Sequence, residues 1–148
     1  MTHPPRSAAI VANGTINNSS SIAKSIRNHE LIIAADGGAN HCYKMHIKPN
    51  IIIGDCDSIT PELLHTFSDV PLKRFPIDKD ETDLELAIKE ALHHHVERIT
   101  IFAGFGSRID HSLVNLHILR RYPGMLFIES EEEIAFVINK PQEIPCII

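Results

Sequence analysis

The stretch Leu31-Ile-Ile-Ala-Ala-Asp-Gly-Gly-Ala-Asn40 decides how the rest of the chain is read. Five consecutive aliphatic residues are too few for a helix and are apolar at every position. Such a run describes a strand covered on both faces, as in a parallel sheet. Asp36-Gly37-Gly38 ends the run, and a helix follows near Ala39–Lys44. The same order recurs. Ala8-Ala-Ile-Val-Ala12, Ile51-Ile-Ile53, Leu72 to Phe75 and Ile99-Thr-Ile-Phe-Ala103 are further apolar runs, followed by turn residues and then by helical spacing. Met125 to Ile128 and Ile134 to Ile138 read as two more strands around an acidic turn. The alternation predicts an α/β fold: a layered, mostly parallel sheet flanked by helices, with a short C-terminal strand pair.

The helices between the runs carry their own signals. Ser19 to His29 is weakly amphipathic through Ile22 and Ile26. Thr60-Pro61 places a capping residue before proline and opens a helix over 61–67. From Thr82 to His95, Leu84, Ile88 and Leu92 recur every fourth residue with Ala87 and Ala91 beside them. Asp110 to Arg121 repeats the pattern and predicts Leu113, Leu116, Val114 and Ile118 facing inward, with Pro123-Gly124 as the stop.

Composition bounds what such a domain does. The chain has 148 residues, 43% of them hydrophobic and 22% charged, which suits one folded domain and excludes disorder. Fourteen basic against nineteen acidic residues give a net charge of −5, so nucleic acid is a poor partner. No apolar run approaches a membrane span and no secretory leader fits the start, so no membrane partner is expected. Cys42, Cys56 and Cys146 form no C-x-x-C pair and read as small hydrophobes, in keeping with a cytoplasmic location. The apolar stop Glu143-Ile-Pro-Cys-Ile-Ile148 reads as a strand cut short.

Ligands of parallel sheets bind beyond the carboxyl ends of the strands, so the turns after each run are where chemistry is expected. They read Ala12-Asn-Gly-Thr15, Ala35-Asp-Gly-Gly38, Gly54-Asp-Cys-Asp-Ser58, Asp78-Lys-Asp-Glu-Thr-Asp83 and Gly104-Phe-Gly-Ser-Arg-Ile-Asp-His111. Carboxylates gathered at one sheet edge repel one another, and a hard divalent cation with oxygen ligands relieves this. A single Asp after a strand also reads as a helix cap, and Asp110 fits that part alone. Asp55-x-Asp57 with Asp83 reads as a metal set. No phosphate-binding G-x-x-x-x-G-K-[ST] is present, and Gly104-x-Gly106 lacks the third glycine of a dinucleotide fingerprint, with Ile at 109. Gly104 and Gly106 still let backbone N–H groups approach an anion, and Arg108 can grip a phosphate beside a helix N-terminus. Gly37-Gly38 offers a second such approach. His93-His-His95 reads as a solvated helix end, since consecutive residues cannot share a face. His41 and His46 have no partner pattern.

Four of these blocks resemble one family. Ala35-Asp-Gly-Gly-Ala-Asn40, Gly54-Asp-Cys-Asp-Ser58, Lys79-Asp-Glu-Thr-Asp83 with Glu85, and Gly104-x-Gly-Ser-Arg-x-Asp-His111 with Asn115 are similar to those of the thiamine pyrophosphokinases, in order and spacing. The resemblance implies an ATP- and Mg²⁺-binding α/β domain over 1–139, with 140–148 the start of a truncated C-terminal β domain, a β-sandwich in the family. It implies pyrophosphoryl transfer from ATP to the hydroxyl of thiamine, giving thiamine diphosphate and AMP and impaired in so short a chain. A homodimer with thiamine at a subunit junction is also implied. By the same resemblance Asp55, Asp57 and Asp83 hold the metal. Asp36 and Asp110 correspond to acidic residues lining the same site, and Lys79, Asp80 and Thr82 match the segment near the nucleophile and the phosphates. With Gly37, Gly38, Gly104, Gly106, Arg108 and His111 from the turns above, Asp36, Lys79 and Thr82 make the expected nucleotide site, where Arg108 takes developing charge and Asp80 or Asp110 orients the hydroxyl. Two alternatives are a nucleotide- or thiamine-binding remnant without turnover and a sugar-nucleotide transferase using Asp55-x-Asp57. The second leaves the Lys79–Asp83 and Arg108–His111 blocks unexplained.

Overall fold

In the computed structural model the apolar runs become strands, and the three longest (Ser7–Val11, Leu31–Ala35 and Arg98–Phe102) are buried along almost their whole length. Residues 3–54, 57, 59–75, 80–106 and 108–138 are described. The elements in chain order are β1 (Ser7–Val11), α1 (Ser19–Arg27), β2 (Leu31–Ala35), α2 (Gly38–Lys44), β3 (Ile51–Ile53) and α3 (Pro61–Thr66). They continue with β4 (Leu72–Lys73), α4 (Asp83–His93), β5 (Arg98–Phe102), α5 (Ile109–Ile118), a 3-10 turn (Leu119–Arg121), β6 (Leu126–Glu129) and β7 (Ile134–Ala135). The sheet order is β4-β3-β2-β1-β5-β6-β7, parallel throughout except for β7, which pairs antiparallel with β6. The fourth and last runs are shorter as strands than the sequence reading predicts: only Leu72–Lys73 and Ile134–Ala135 find ladder partners, and the fourth run carries Lys73 and Arg74 at its centre.

Alternation along the strands supplies two cores. On one face Ile10, Ile33, Ile53, Ile101 and Ile128 pack with Leu84, Ala87, Ile88 and Ala91 of α4. On the other, Val11, Ala34, Ile52 and Phe102 pack with Ile22 and Ile26 of α1, Ala39 and Cys42 of α2, and Leu63 of α3. Burial pushes the Cys42 thiol up to about 12, which makes it an inert apolar filler. The buried hydroxyl of Thr100 lies 3.2 Å from His29 Nε2, while His29 Nδ1 donates to the carbonyl of Ser25 at 3.0 Å. The Ser25 carbonyl only accepts, so Nδ1 carries a proton, and in the neutral ring Nε2 then accepts the Thr100 hydroxyl proton. Desolvation accordingly holds the His29 pKa below its ordinary value.

The helix starts follow the sequence signals. Thr60 Oγ1 accepts from Leu63 N at 3.3 Å, ahead of Pro61. Thr82 and Glu85 form a reciprocal capping box at the start of α4, with Thr82 N donating to Glu85 Oε2 and Glu85 N to Thr82 Oγ1. His93 is the last residue of α4 and His94 its C-cap, and His93 and His95 are exposed.

Helix α5 corrects the reading of its apolar face. Ile118 is buried at 2% exposure, but Ile109 (74%), Leu113 (60%), Val114 (48%) and Leu116 (39%) face outward. The reason is geometric. Only the C-terminal end of the helix, with Leu119 of the 3-10 turn, reaches the core, while Val114 and Asn115 stand beside the cleft described below. Asp110 does not cap α5 either. Arg108 holds the N-cap position, and Asp110 sits in the first turn.

Candidate active site

The winding of the sheet reverses between β1 and β5, and a cleft of about 620 Å³ opens beyond the carboxyl ends of these strands. A crevice of this kind forms because successive connections leave the seam on opposite faces of the sheet. Ala12–Thr15 beyond β1, Ala35 and Asp36 beyond β2, and Ala103, Gly104 and Gly106 beyond β5 line it. Thr82, Asp83 and Leu84 contribute from the start of α4, with Arg108, His111, Ser112, Val114 and Asn115 at α5.

The two central loops are laced together. Ala12 N donates to Phe102 O at 2.8 Å, Gly14 N to Ala103 O at 2.7 Å and Thr15 N to Phe105 O at 2.8 Å. Asn115 Nδ2 donates to Gly104 O at 2.7 Å, tying α5 to the same loop. Ser112 Oγ accepts from Gly106 N and donates to Arg108 O, both at 3.3 Å. Two residues at this edge take left-handed backbone angles, Asp36 (φ +47°) and Ala103 (φ +56°). For an alanine this costs roughly 1–2 kcal/mol, and such strain concentrates at ligand sites. Gly14 is required by close approach, since a Cβ there would stand 2.2 Å from Phe105 O.

The sequence-derived candidates divide into groups. Asp36, Thr82, Asp83, Gly104, Gly106, Arg108 and His111 meet at the cleft. Gly37 and Gly38 are absent from its lining and closely packed: a Cβ at Gly38 would lie 1.8 Å from Val11 O and one at Gly37 2.1 Å from Asn13 Oδ1. Asp80 lines a neighbouring recess of about 300 Å³ with Glu81, Glu85 and Arg121. Asp57 is exposed and not in the lining. Asp55 and Lys79 lie outside the described residues, as do Cys56, Cys146 and 140–148. Asn13, Thr15, Ser112 and Asn115 also line the cleft. The Asn13-Gly14 turn after the first apolar run was the local signal for the first two, Asn115 belongs to the fourth motif block, and Ser112 had no signal of its own.

Arg108 is paired within its own turn. Its Nη2 lies 2.7 Å from Asp110 Oδ2 and its Nε 3.2 Å from Asp110 Oδ1. This bidentate contact holds the Asp110 carboxyl below the usual carboxylate range and the Arg108 guanidinium above its own. Among the described residues no three His, Cys, Asp or Glu side chains gather as a metal-ligand set. Asp36 and Asp83 bring two carboxylates to the cleft, and Mg²⁺ commonly takes one or two carboxylates with substrate phosphates and water. The donor chemistry therefore fits a hard cation. No helix among the described residues is long and apolar enough to cross a membrane.

Fold and cleft together define an open, doubly wound α/β domain whose main cleft lies at the reversal of strand order. The family model described as thiamin pyrophosphokinase, catalytic domain, matches residues 22–128, and the chain belongs to that family. Thiamine pyrophosphokinase of Bacillus subtilis is 34% identical over 112 residues, covering 74% of this chain and 52% of that protein. Thiamine pyrophosphokinase 1 of Arabidopsis thaliana is 32% identical over 117 residues, covering 64% and 44% respectively. The crystal structure of the Bacillus subtilis protein superposes with a TM-score of 0.72 at 27% identity, over 84% of this chain and 61% of that one. The yeast thiamin pyrophosphokinase structure has the same fold, with a TM-score of 0.79 at 19% identity over 92% and 62%. The chain thus spans about half the length of these sequence relatives. Family membership sets the sugar-nucleotide alternative aside.

Proposed function

We propose that this chain is the nucleotide-binding part of an enzyme transferring a pyrophosphoryl group from ATP to the hydroxyl of thiamine. The observation that carries this reading is the meeting, in one cleft, of the Thr82-Asp83 and Arg108–His111 segments of two different helices. In the reaction the thiamine hydroxyl oxygen forms a bond to the β-phosphorus of ATP. The bond from that phosphorus to the oxygen bridging to the α-phosphate breaks, and AMP leaves with its electron pair.

Such a reaction asks for positioning and for neutralisation of phosphate charge more than for covalent help. Arg108, at the N-cap of α5, exchanges Asp110 for phosphate oxygens, and the first-turn N–H groups of that helix favour the same anion. Thr82 and His111 offer further polar contacts, with Lys79 from the preceding segment. Asp83, with Asp55, Asp57 and Asp36, would hold Mg²⁺, which would supply positive charge to neutralise the phosphates. Asp110, displaced from Arg108 by phosphate, orients the hydroxyl, whereas Asp80 lies in the neighbouring recess. The exposed apolar face of α5, beside the cleft, supports a homodimer that covers it. The inert Cys42 thiol suits a cytoplasmic setting.

Calorimetric titration with ATP, with and without Mg²⁺, tests the site. Binding should require Mg²⁺ and be lost in Asp83→Asn at an unchanged melting temperature. Equal ATP affinity in that variant and without metal would overturn the assignment. AMP release with thiamine present separates turnover from binding alone.

A further inference from the structure

His41, on α2, points its ring at the turn that leaves β1. Its Nε2 lies 2.7 Å from the carbonyl oxygen of Gly14. A carbonyl only accepts, so His41 donates from Nε2, whether the ring is neutral or protonated. The carbonyl of Gly14 and the N–H of Thr15 belong to one planar peptide. That N–H donates to Phe105 O at 2.8 Å, so the peptide is held at both ends, by α2 on one side and by the β5–α5 loop on the other. A peptide following glycine turns over more readily than most, because glycine visits both halves of backbone space. Without the imidazole, one of its two restraints is gone.

We infer that His41 is a positioning residue: it locks the Gly14–Thr15 peptide and so sets Thr15 in the cleft wall for the phosphate-bearing ligand. Thr15 and Gly14 both line the cleft, and the space that a Cβ on Gly106 would fill is 3.6 Å from Thr15 Oγ1, so a flip of this peptide would alter the wall itself. His41 is absent from that lining and acts only through Gly14. The inference rests on the reading of the cleft as an ATP site, and its test separates the two.

Three proteins are compared: the parent, His41→Gln, which keeps an N–H donor at nearly the same reach, and His41→Leu, which has none. If His41→Leu fails to fold, His41→Asn replaces it, since its amide stops short of Gly14. Affinity for ATP with Mg²⁺ is measured by calorimetry, and exchange of the Thr15 amide is followed by NMR in the ligand-free proteins. The donor-free variant should bind roughly tenfold more weakly and exchange Thr15 roughly tenfold faster, with the Gln variant close to the parent on both measures. Parent-like binding and exchange in His41→Leu, or losses in His41→Gln equal to those in His41→Leu, would overturn the inference. If the parent itself binds no ATP, the functional reading fails. The role of His41 is then decided by Thr15 exchange: acceleration in His41→Leu with rescue in His41→Gln upholds it, and unchanged exchange refutes it.

Discussion

Arg121 Nη1 lies 3.0 Å from Glu85 Oε1, and the other carboxylate oxygen of Glu85 accepts from Thr82 N. One side chain thereby caps α4, whose first residues line the cleft, and ties that helix to the turn that ends α5. The two roles separate by substitution. Glu85→Gln keeps an oxygen for the cap and loses the charge, so it should cost under about 1 kcal/mol given the exposed arginine. Glu85→Ala loses both and should cost about 1–2 kcal/mol. Urea unfolding of the two variants checks this, and equal losses would show that the ion pair dominates.

His29 makes stability depend on pH. Its folded pKa is depressed, so between that value and the ordinary value near 6.5 the unfolded chain binds more protons than the folded one. Stability should therefore fall as pH drops below about 6.5. Unfolding measured at pH 8 and pH 5.5 should show a smaller decline in His29→Gln than in the parent. An identical decline would mean that other histidines carry the effect.

Asp110 competes with any anion for Arg108. Asp110→Asn should tighten ATP binding several-fold by releasing the guanidinium. In an Arg108→Gln background the same change should do much less. A thermodynamic cycle of the four proteins reads the coupling directly, and independent effects would sink the idea of competition.

The faces of α5 predict opposite responses to substitution. Ile118→Ala empties a core position and should cost about 2–5 kcal/mol. Leu113→Gln, at 60% exposure, should stay within about 0.5 kcal/mol in the monomer. Sedimentation of Leu113→Gln then reports whether this face is covered by a second copy.

Gly14 and Gly124 are both glycines in turns but differ in surroundings. An alanine at 14 meets two carbonyl oxygens at 2.2 and 2.3 Å and should cost about 3 kcal/mol or more, along with ATP binding. An alanine at 124 meets nothing and pays only for its φ of +76°, about 1 kcal/mol. Thermal unfolding of the pair decides.

The strands and the starts of α3 and α4 were legible in the sequence because their causes are local, whereas the cap of α5 falls to Arg108 instead of Asp110. Ala8–Val11 and Leu31–Ala35 are apolar at every position since both faces of the sheet are covered, and Thr82 and Glu85 are three residues apart. The orientation of α5 was not, because periodicity marks Leu113 and Leu116 as an apolar face without saying what lies against it. Gly37 and Gly38 looked like an approach for phosphate. Their contacts with Asn13 and Val11 exist only once α2 lies on β1. Asp80 and Asp83 are neighbours in sequence, yet the capping box turns the chain between them, and only Asp83 reaches the cleft.

The seam between β1 and β5 also bears on how the chain reaches its working form. Ala8 pairs with Ile99 and Val11 with Phe102, so the loops flanking the cleft come from distant parts of the chain. Closing so long a loop is entropically expensive and slow, and it gains nothing until the last contacts form. Local pairs such as β1 with β2 can assemble before it, but none of them alone creates a place for a ligand. Ligand capture should therefore lag behind helix formation during refolding, making the cleft an internal clock for completion of the sheet.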